Sequence, residues 1–413
     1  MVSPLCTHPV RSGSEGRVAR LSEIFLEMGH QVHFLSIPRW GRPSHSMKAA
    51  WNGSLTVAKT RRVKRFLLSI ARQNFLLKQR CSENPGTMDY WQDNTEDGFN
   101  EASDTWVDQW LSPSFYSQLD QIKKNFDPQV VWVEYFFLSK ILTFFPDSVL
   151  KVIDTHDVFH GRHEKLAVFG VNSSWVSTTA EEESKGLSRA DKVVAIQDDE
   201  RGILQRLTHG EVVTVGDFPD VTKRTEFRKG LKKLLFVSSG NPADTHGLEL
   251  FLRESWPSIR SAHPSAELLL AGGICSPEYQ HFPGVQLLGK FDDPRQIYSL
   301  ANICINPVVI GSGLKIKSVE ALAQGKALVT TPEGAAGLCG AEGEAFWVAD
   351  TTEQFSELIG ELFESDMLTQ RLSSEGLRFA LTRRSHSLSQ LEEVLSFVPA
   401  VNAQENSLEA KWN

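Results

Sequence analysis

Short apolar runs alternate with amphipathic segments along most of this chain. Residues 15–28 place apolar side chains on one helical face, and Gly29 follows as the expected cap. Residues 31–36 come next and predict a strand. A strand, a glycine-containing loop, a helix and a strand in this order indicate the start of a βαβ unit. Four further strands are predicted, at 130–134, 149–154, 193–196 and 211–215.

The first strand of this unit is unusually short. Only Met1 to Pro4 are available for it, although the helix and strand that follow demand a full partner. Truncation or the choice of start site would account for this, and we expect a weakened central strand. Further along, residues 355–362, 368–380 and 388–398 predict helices, and residues 218–228 predict a linker.

The segment 311–325 predicts a glycine loop that opens a helix. The loop consists of Gly311, Ser312 and Gly313. The helix ends before Gly325, and a buried strand follows at 327–331. A glycine loop at a helix N-terminus offers free backbone N–H groups and the positive end of the helix dipole. The segment therefore predicts an anion-binding site.

Three charged side chains beside this loop are suited to bind the diphosphate and the ribose of a nucleotide-sugar. Lys315 and Lys317 supply positive charge for a diphosphate, and Glu320 can accept hydrogen bonds from a ribose diol. The alternative is ordinary turn geometry followed by a solvated Lys317–Glu320 pair. Kinase-type and NAD-type sites are disfavoured, because the chain has no GxxxxGK[ST] motif and Ile316 replaces a third Rossmann glycine.

This segment resembles the donor-binding signature of retaining glycosyltransferases of family 4, which have the GT-B fold. Segments on its N-terminal side extend the resemblance, at 234–240, 256–257, 263–273 and 285–291. In this family the strand that ends near Phe291 touches the nucleobase, and Gly240 belongs to the glycine turn that opens the second domain. The resemblance covers most of residues 231–390.

The resemblance implies an α/β protein of the GT-B type, with two Rossmann-like domains facing a central cleft. Residues 1–222 are expected to form an acceptor-binding domain with an irregular insert at about 41–110. Residues 231–385 are expected to form the nucleotide-sugar-binding domain. A C-terminal helix within 386–413 is expected to return to the first domain and end in a tail.

The chain also departs from the family pattern. Many members carry two glutamates with seven residues between them; Glu320 fits the second, but Ser312 stands at the first. The usual arginine and lysine are missing from residues 240–247, and Lys315 and Lys317 are expected to replace their charge. The contacts to the donor sugar are the part that this departure affects.

Histidines cluster after the strand at 149–154. They are His156, His160 and His163, with Asp154 and Asp157 nearby. A metal site is one interpretation, although the spacing matches no standard zinc pattern, and a structural histidine is another. The resemblance implies that His156 lies against the donor sugar, hydrogen-bonds a hydroxyl and stabilises positive charge through its backbone carbonyl.

Four more residues are expected at the cleft by resemblance. Glu134 ends a strand, where it would contact the acceptor or act as a base; the alternative is an exposed loop acid. Arg162 would contact phosphate or acceptor. Gly13 and Gly16 would line the cleft, although plain turn geometry explains them equally well.

The resemblance implies a hexosyltransferase-type glycosyltransferase that acts in polysaccharide biosynthesis. It would move a sugar from a nucleotide-diphospho-sugar to a glycan or lipid-linked acceptor, with retention of configuration. No metal and no cofactor are expected, because backbone N–H groups and lysines would stabilise the leaving diphosphate. The alternatives are a sugar-nucleotide epimerase on the same fold and a catalytically silent assembly protein that binds nucleotide-sugars.

Composition adds limits on partners and location. The net charge of −8 gives no support to nucleic-acid binding, and five scattered cysteines fit a reducing cytosol. No signal peptide and no apolar stretch of membrane-spanning length is predicted. Residues 59–80, however, contain eight lysines or arginines and no acid. They predict a helix that contacts anionic membrane on the inner face of the cell membrane; the alternative is a solvated helix packed on the domain.

Overall fold

The computed structural model describes most of the chain. The described residues are 1–10, 12–37, 43–51, 53–58, 107–109, 111, 113–162, 164, 177–221, 226–291, 293–311 and 313–396. His163, Ser312 and the basic stretch 59–80 lie outside them. What the sequence predicts for these residues stays a prediction.

The first of two parallel sheets lies before residue 215. Its strands within the described residues are β1 (Val2–Ser3), β2 (Phe34–Ser36), β3 (Leu55–Val57), β4 (Val130–Glu134), β5 (Leu150–Asp154), β6 (Lys192–Ala195) and β7 (Glu211–Thr214). They are arranged in the order β3-β2-β1-β4-β5-β6-β7. The four strands predicted between 130 and 215 are thus found to within one residue at each end.

Helices connect these strands. Those in the described part are α1 (Gly13–Glu27), α2 (His45–Trp51), α3 (Pro113–Phe126), α4 (Ala180–Leu187) and α5 (Asp198–Gln205), with 3₁₀ helices at Val107–Gln109 and Phe136–Phe144. Helix α1 begins where Ser12 caps it, since the Ser12 hydroxyl accepts a hydrogen bond from the backbone N–H of Glu15. Its apolar face packs on the sheet through Leu21 and Phe25.

Two features of this domain concern the predicted boundaries. Strand β1 has only two residues, as the short N-terminal run predicts, and it lies between β2 and β4. The predicted insert at 41–110 begins too early, because α2 and β3 lie within that range. Strand β3 pairs with β2 from Leu55 to Val57, and Trp51 of α2 packs into the core.

The second sheet lies between residues 233 and 348. Its strands among the described residues are β8 (Lys233–Ser238), β9 (Glu267–Gly272), β10 (Val285–Gly289), β11 (Ile303–Asn306), β12 (Ala327–Thr330) and β13 (Trp347–Val348), in the order β10-β9-β8-β11-β12-β13. Its helices are α6 (Pro242–Glu254), α7 (Trp256–Ala262), α8 (Pro294–Tyr298), α9 (Ile316–Ala323) and α10 (Thr352–Glu364), with 3₁₀ helices at Pro277–His281 and Glu333–Ala335.

Both sheets reverse their strand order near the middle. In the first sheet the reversal lies between β1 and β4, and in the second between β8 and β11. Ligands of open α/β sheets bind outside the carboxyl ends of the strands at such a point. The loops after β4, β5, β8 and β11 are therefore the places to look for a site.

The last helix, α11 (Asp366–Val394), joins the two domains. Its first part packs against the second domain, where Gly376 lies close to Leu322. Its last part enters the core of the first domain, where Leu391 and Val394 lie in one cluster with Trp132. The C-terminal part of this helix thus packs on the first domain. The separate helices predicted at 368–380 and 388–398 form one continuous helix of 29 residues instead.

Candidate active site

Two strand ends in the first domain bring a glutamate and a histidine together. Glu134 is the last residue of β4, and its register partner Asp154 is the last residue of β5. His156 follows two residues later, and its Nε2 lies 2.5 Å from Glu134 Oε2. Glu134 is completely buried, so it is not the exposed acid that the sequence offered as the alternative, and its contact with the cleft residues described here is the one with His156.

The backbone on both sides of this pair has unusual geometry. Tyr135 has a φ of 70° and His156 a φ of 62°, a region that aromatic side chains rarely adopt. Such a conformation costs on the order of 1–3 kcal/mol per residue and persists only where its surroundings hold it. The two rings stack with centroids 4.2 Å apart, and the Tyr135 N–H donates to the Asp154 carbonyl. The imidazole is therefore fixed in orientation.

A buried arginine organises the carboxylate next to this pair. Arg17 of α1 donates from Nε and Nη2 to the two oxygens of Asp154, at 2.9 and 3.2 Å. It also donates to the carbonyls of Val215 and Gly216, where the chain leaves β7. Both charged side chains are fully buried. The contact ties the start of α1 to the strand ends and to the crossing into the second domain.

This cluster is a candidate cation site among the described residues. Donor atoms of Glu134, Asp154 and His156 lie within 4.8 Å of one another. The chemistry of the set opposes a cation, because the guanidinium of Arg17 already binds both oxygens of Asp154. Burial raises the pKa of Glu134, and the charge of Asp154 raises it further, against the effects of His156 and Arg17. These residues fit a hydrogen-bonded proton site better than a metal centre.

In the second domain, both lysines beside the glycine loop are paired with carboxylates. Lys315 Nζ lies 2.7 Å from Glu333 Oε1 and donates to the carbonyl of Gly313 at 2.9 Å. Lys317 pairs with the buried Asp244 at the start of α6. Gly313 has a φ of 69°, which only glycine adopts without strain. The solvated Lys317–Glu320 pair, which the sequence offered as the alternative, is thus not the pair that Lys317 forms.

Glu320 lies on α9 with its side chain partly enclosed. The hydroxyl of Tyr298 donates to Glu320 Oε2 at 3.4 Å. Burial raises the pKa of Glu320 to about 7, and the charge of Asp217 adds to this effect. The carboxyl therefore changes its charge near neutral pH.

The two halves of the candidate site meet across the cleft. A side chain at Gly313 would come within 3.5 Å of the Asp157 carboxyl carbon and 3.6 Å of the His156 carbonyl oxygen. One at Gly13 would come within 2.8 Å of the Ile316 side chain. The structure thus brings His156 and Gly13 of the first domain against the glycine loop and the start of α9.

The remaining histidine-cluster residues have other partners. His160 Nδ1 lies 2.6 Å from Glu183 Oε2, so His160 does not join His156. Arg162 pairs with Asp157 at 3.1 Å, which places its guanidinium beside the strand end that carries His156. Arg162 therefore stays near the cleft, held by a carboxylate.

The predicted nucleotide residues of the second domain lie after the expected strands. Gly240 follows β8 with a φ of 80°, and a side chain there would meet the Gly273 backbone at 2.8 Å. Phe291 follows β10 and packs partly buried against the domain core. Gly311 leaves space that Lys315 and Glu333 fill. Each glycine thus permits a close approach that another residue would prevent.

Sequence reasoning missed the two carboxylates that hold the lysines. Glu333 follows β12, and Asp244 lies six residues beyond the end of β8. The rule that polar residues after parallel strands line the cleft would have drawn attention to Glu333. Nothing in the local sequence marks Asp244, whose partner Lys317 is far away in the chain.

Residues 231–365 match the family model described as Glycosyl transferases group 1. The matched residues coincide with the second domain. The resemblance inferred from the sequence is confirmed, and so is the prediction of an enzyme of the glycosyltransferase class. A search of curated proteins found no match.

Solved structures confirm the GT-B fold of this transferase. HepE from Anabaena in complex with UDP has 12% identity and a TM-score of 0.62, over 96% of this chain and 100% of that one. Sucrose-phosphate synthase from Thermosynechococcus elongatus has 13% identity and a TM-score of 0.64, over 96% and 98%. A TarM structure has 13% identity and a TM-score of 0.54; the match covers 67% of this chain but only 57% of the TarM chain.

Proposed function

We propose that this transferase moves a sugar from a nucleotide-diphospho-sugar to a glycan or lipid-linked acceptor with retention of configuration. The observation that carries the proposal is the meeting of His156 and Gly313 across the cleft, where a side chain at Gly313 would lie 3.6 Å from the His156 carbonyl. One domain contributes a fixed imidazole, and the other contributes a loop suited to a diphosphate. The transferred sugar would lie between them.

The second domain would hold the nucleotide. The N-terminus of α9 directs the positive end of its dipole toward the glycine loop, and the side chain of its N-cap residue, Lys315, makes no capping hydrogen bond. Lys317, paired with Asp244, would add charge beside the phosphates. Glu320 would accept hydrogen bonds from the ribose hydroxyls.

The first domain would serve the transfer step. Positive charge develops on the sugar ring as its bond to the diphosphate breaks, and the His156 carbonyl would stabilise that charge. Preorganised dipoles of this kind contribute strongly because they do not have to reorient during the reaction. Glu134 and the Tyr135 ring would keep the imidazole in place. The anion site takes the place of a metal, so no metal and no cofactor are required.

Some of the similar proteins were solved with ligands of this kind. One HepE structure contains UDP-glucose, and one TarM variant structure contains UDP with fondaparinux and α-GlcNAc-glycerol. These ligands belong to proteins 10–11% identical to this chain. They support a nucleotide-sugar donor and a glycan acceptor for it, in keeping with a role in polysaccharide biosynthesis.

A lipid-linked acceptor would place the enzyme at the inner face of the cell membrane. No helix in the described part of the chain is long and apolar enough to cross a bilayer. Contact would then depend on the basic stretch 59–80, outside the described residues. Sedimentation with anionic vesicles tests this: binding at low salt that is lost on reversing the charges of the stretch is expected, and its absence favours a soluble acceptor.

The donor is found by thermal unfolding with a panel of nucleotide-sugars. A ligand that binds only the folded protein raises the melting temperature by mass action, so the nucleotide-sugar that gives the largest increase is identified as the donor. Incubation of this donor with and without glycan acceptors then follows. Transfer with retained configuration supports the proposal. An epimerised sugar nucleotide formed without acceptor would show an epimerase, and binding without turnover would show an assembly protein.

A further inference from the structure

A carboxylate lies directly beside Gly311, the first glycine of the glycine loop. Glu333 begins the 3₁₀ helix that follows β12, and its Oε1 would lie 3.1 Å from a side chain at Gly311. The space left by Gly311 is therefore occupied by a carboxylate from another segment of the same domain. This carboxylate belongs to the wall of the proposed donor site.

Lys315 forms an ion pair with this carboxylate, and the two side chains differ in how far they are exposed. Lys315 Nζ lies 2.7 Å from Glu333 Oε1, and it also donates to the Gly313 carbonyl. The Lys315 side chain is 7% exposed, whereas that of Glu333 is 30% exposed. The ammonium group is thus enclosed, and the carboxylate is the member of the pair that reaches open space. A ligand would meet Glu333.

The charge of Glu333 decides which part of the donor it fits. A carboxylate accepts hydrogen bonds and repels a diphosphate, whereas the hydroxyl groups of a sugar are neutral donors. We propose that Glu333 is a specificity-determining residue, which accepts hydrogen bonds from hydroxyls of the transferred sugar while Lys315 keeps it in position. This inference rests on the proposed function and adds the residue that selects the sugar.

The position of the pair relative to the first domain agrees with this role. Lys315 bridges Glu333 and the Gly313 carbonyl, and Gly313 lies opposite Asp157 and His156. Lys315 thereby links the carboxylate to the part of the glycine loop that faces the first domain. A nucleobase or ribose contact would require a position near Phe291 or Glu320 instead.

Calorimetry with Glu333→Gln separates sugar recognition from nucleotide binding. The probes are two pairs, UDP with UDP-glucose and GDP with GDP-mannose, and the pair that the unmodified protein binds more tightly is followed. We expect the variant to bind the nucleotide-sugar at least tenfold more weakly, while the nucleoside diphosphate binds as before or more tightly. The matched control is Glu344→Gln, which removes an exposed acid of the same domain.

Each outcome has a defined meaning. Equal losses for nucleotide-sugar and nucleoside diphosphate would overturn the inference, because Glu333 would then only keep Lys315 in place. Unchanged affinities would overturn it as well. Glu333→Asp, which keeps the charge, should recover part of the lost affinity if the carboxylate itself is required. An unmodified protein that binds none of the four probes contradicts the proposed function instead.

Discussion

At the scale of single residues, the Glu134–His156 pair combines burial, a short hydrogen bond and a strained backbone. An enclosed carboxylate costs stability unless partners satisfy it, and His156 is the partner of Glu134 Oε2. The His156 carbonyl oxygen faces Gly313 of the second domain, while its ring is hydrogen-bonded to Glu134. His156 therefore contacts the buried carboxylate with its ring and faces the second domain with its backbone.

His156→Ala should therefore affect turnover more than nucleotide binding. We expect the transfer rate to fall by about 10²-fold or more, because the variant loses the imidazole that would hydrogen-bond a hydroxyl of the transferred sugar and that, through Glu134 and Tyr135, holds the backbone carbonyl of residue 156 in place. The nucleotide belongs to the second domain, so its affinity should stay close to that of the unmodified enzyme. Steady-state kinetics and calorimetry measure the two quantities. A folded variant with full rate would contradict the assignment.

Glu320 should make nucleotide-sugar binding depend on pH. Its pKa lies at about 7, so the carboxylate that accepts ribose hydrogen bonds is present above this pH and protonated below it. Affinity should rise between pH 6 and 8, and Glu320→Gln should flatten this dependence. Calorimetric titrations over this range test it, and an equally steep dependence in the variant would exclude Glu320 as the source.

Glu320 should also make the free energy of unfolding depend on pH, in the direction opposite to that of nucleotide-sugar affinity. The pKa is raised by burial from its ordinary value of 4.5, so the folded protein holds a proton that the unfolded chain has lost. The contribution of this group to the free energy of unfolding therefore decreases as pH rises from about 4.5 to 7. Denaturant unfolding of the Glu320→Gln variant should show a smaller decrease over that interval.

At the scale of elements, α11 connects two cores with one continuous helix. The sequence pattern did not reveal this, because residues 382–387 carry few apolar side chains. The helix needs few there, since its buried face is built from small residues such as Gly376, Ala380 and Ser387. Close packing against small residues stabilises a helix without a strong apolar period.

Leu391→Ala tests the anchor of this helix in the first domain. Leu391 is completely buried in a cluster with Trp132 and Val152. Its truncation should lower the free energy of unfolding by about 2–5 kcal/mol, because it removes buried surface and leaves a cavity. Leu381→Ala, at an exposed position of the same helix, is the control, with an effect below about 1 kcal/mol. Equal effects would contradict the packing described.

The elements also show what a single sequence can and cannot predict. The strands between 130 and 215 and the glycine loop before α9 were predictable, because an apolar run and a glycine loop followed by a helical pattern each lie within a few neighbouring residues. The contact of Glu134 with His156 was not, since it depends on the register between β4 and β5. The pairing of Lys317 with Asp244 could not be predicted from the sequence either, because it joins residues 73 positions apart.

At the scale of the whole molecule, the site is complete only when the domains meet. Gly13 and Ile316 are close enough that a larger residue at 13 would keep the domains apart. Gly13→Val should lower the transfer rate by about tenfold or more, since misplacement by 1 Å can cost about 10²-fold. Nucleotide affinity should change little. Gly16→Val in the same helix is the control, because a side chain there meets only Val10 at 3.5 Å. A similar loss in both variants would point to α1 rather than the cleft.

The chain crosses between the domains twice, and the two crossings touch. The first leaves β7 past Gly216, and the second is α11 near Ser387; a side chain at Gly216 would lie 2.8 Å from the Ser387 hydroxyl. Two domains joined by a single flexible connection can rotate relative to each other about any axis. Two connections that lie side by side restrict the relative movement of the domains mainly to rotation about this contact. Such a rotation would bring His156 back to the same place opposite the glycine loop whenever the domains approach each other.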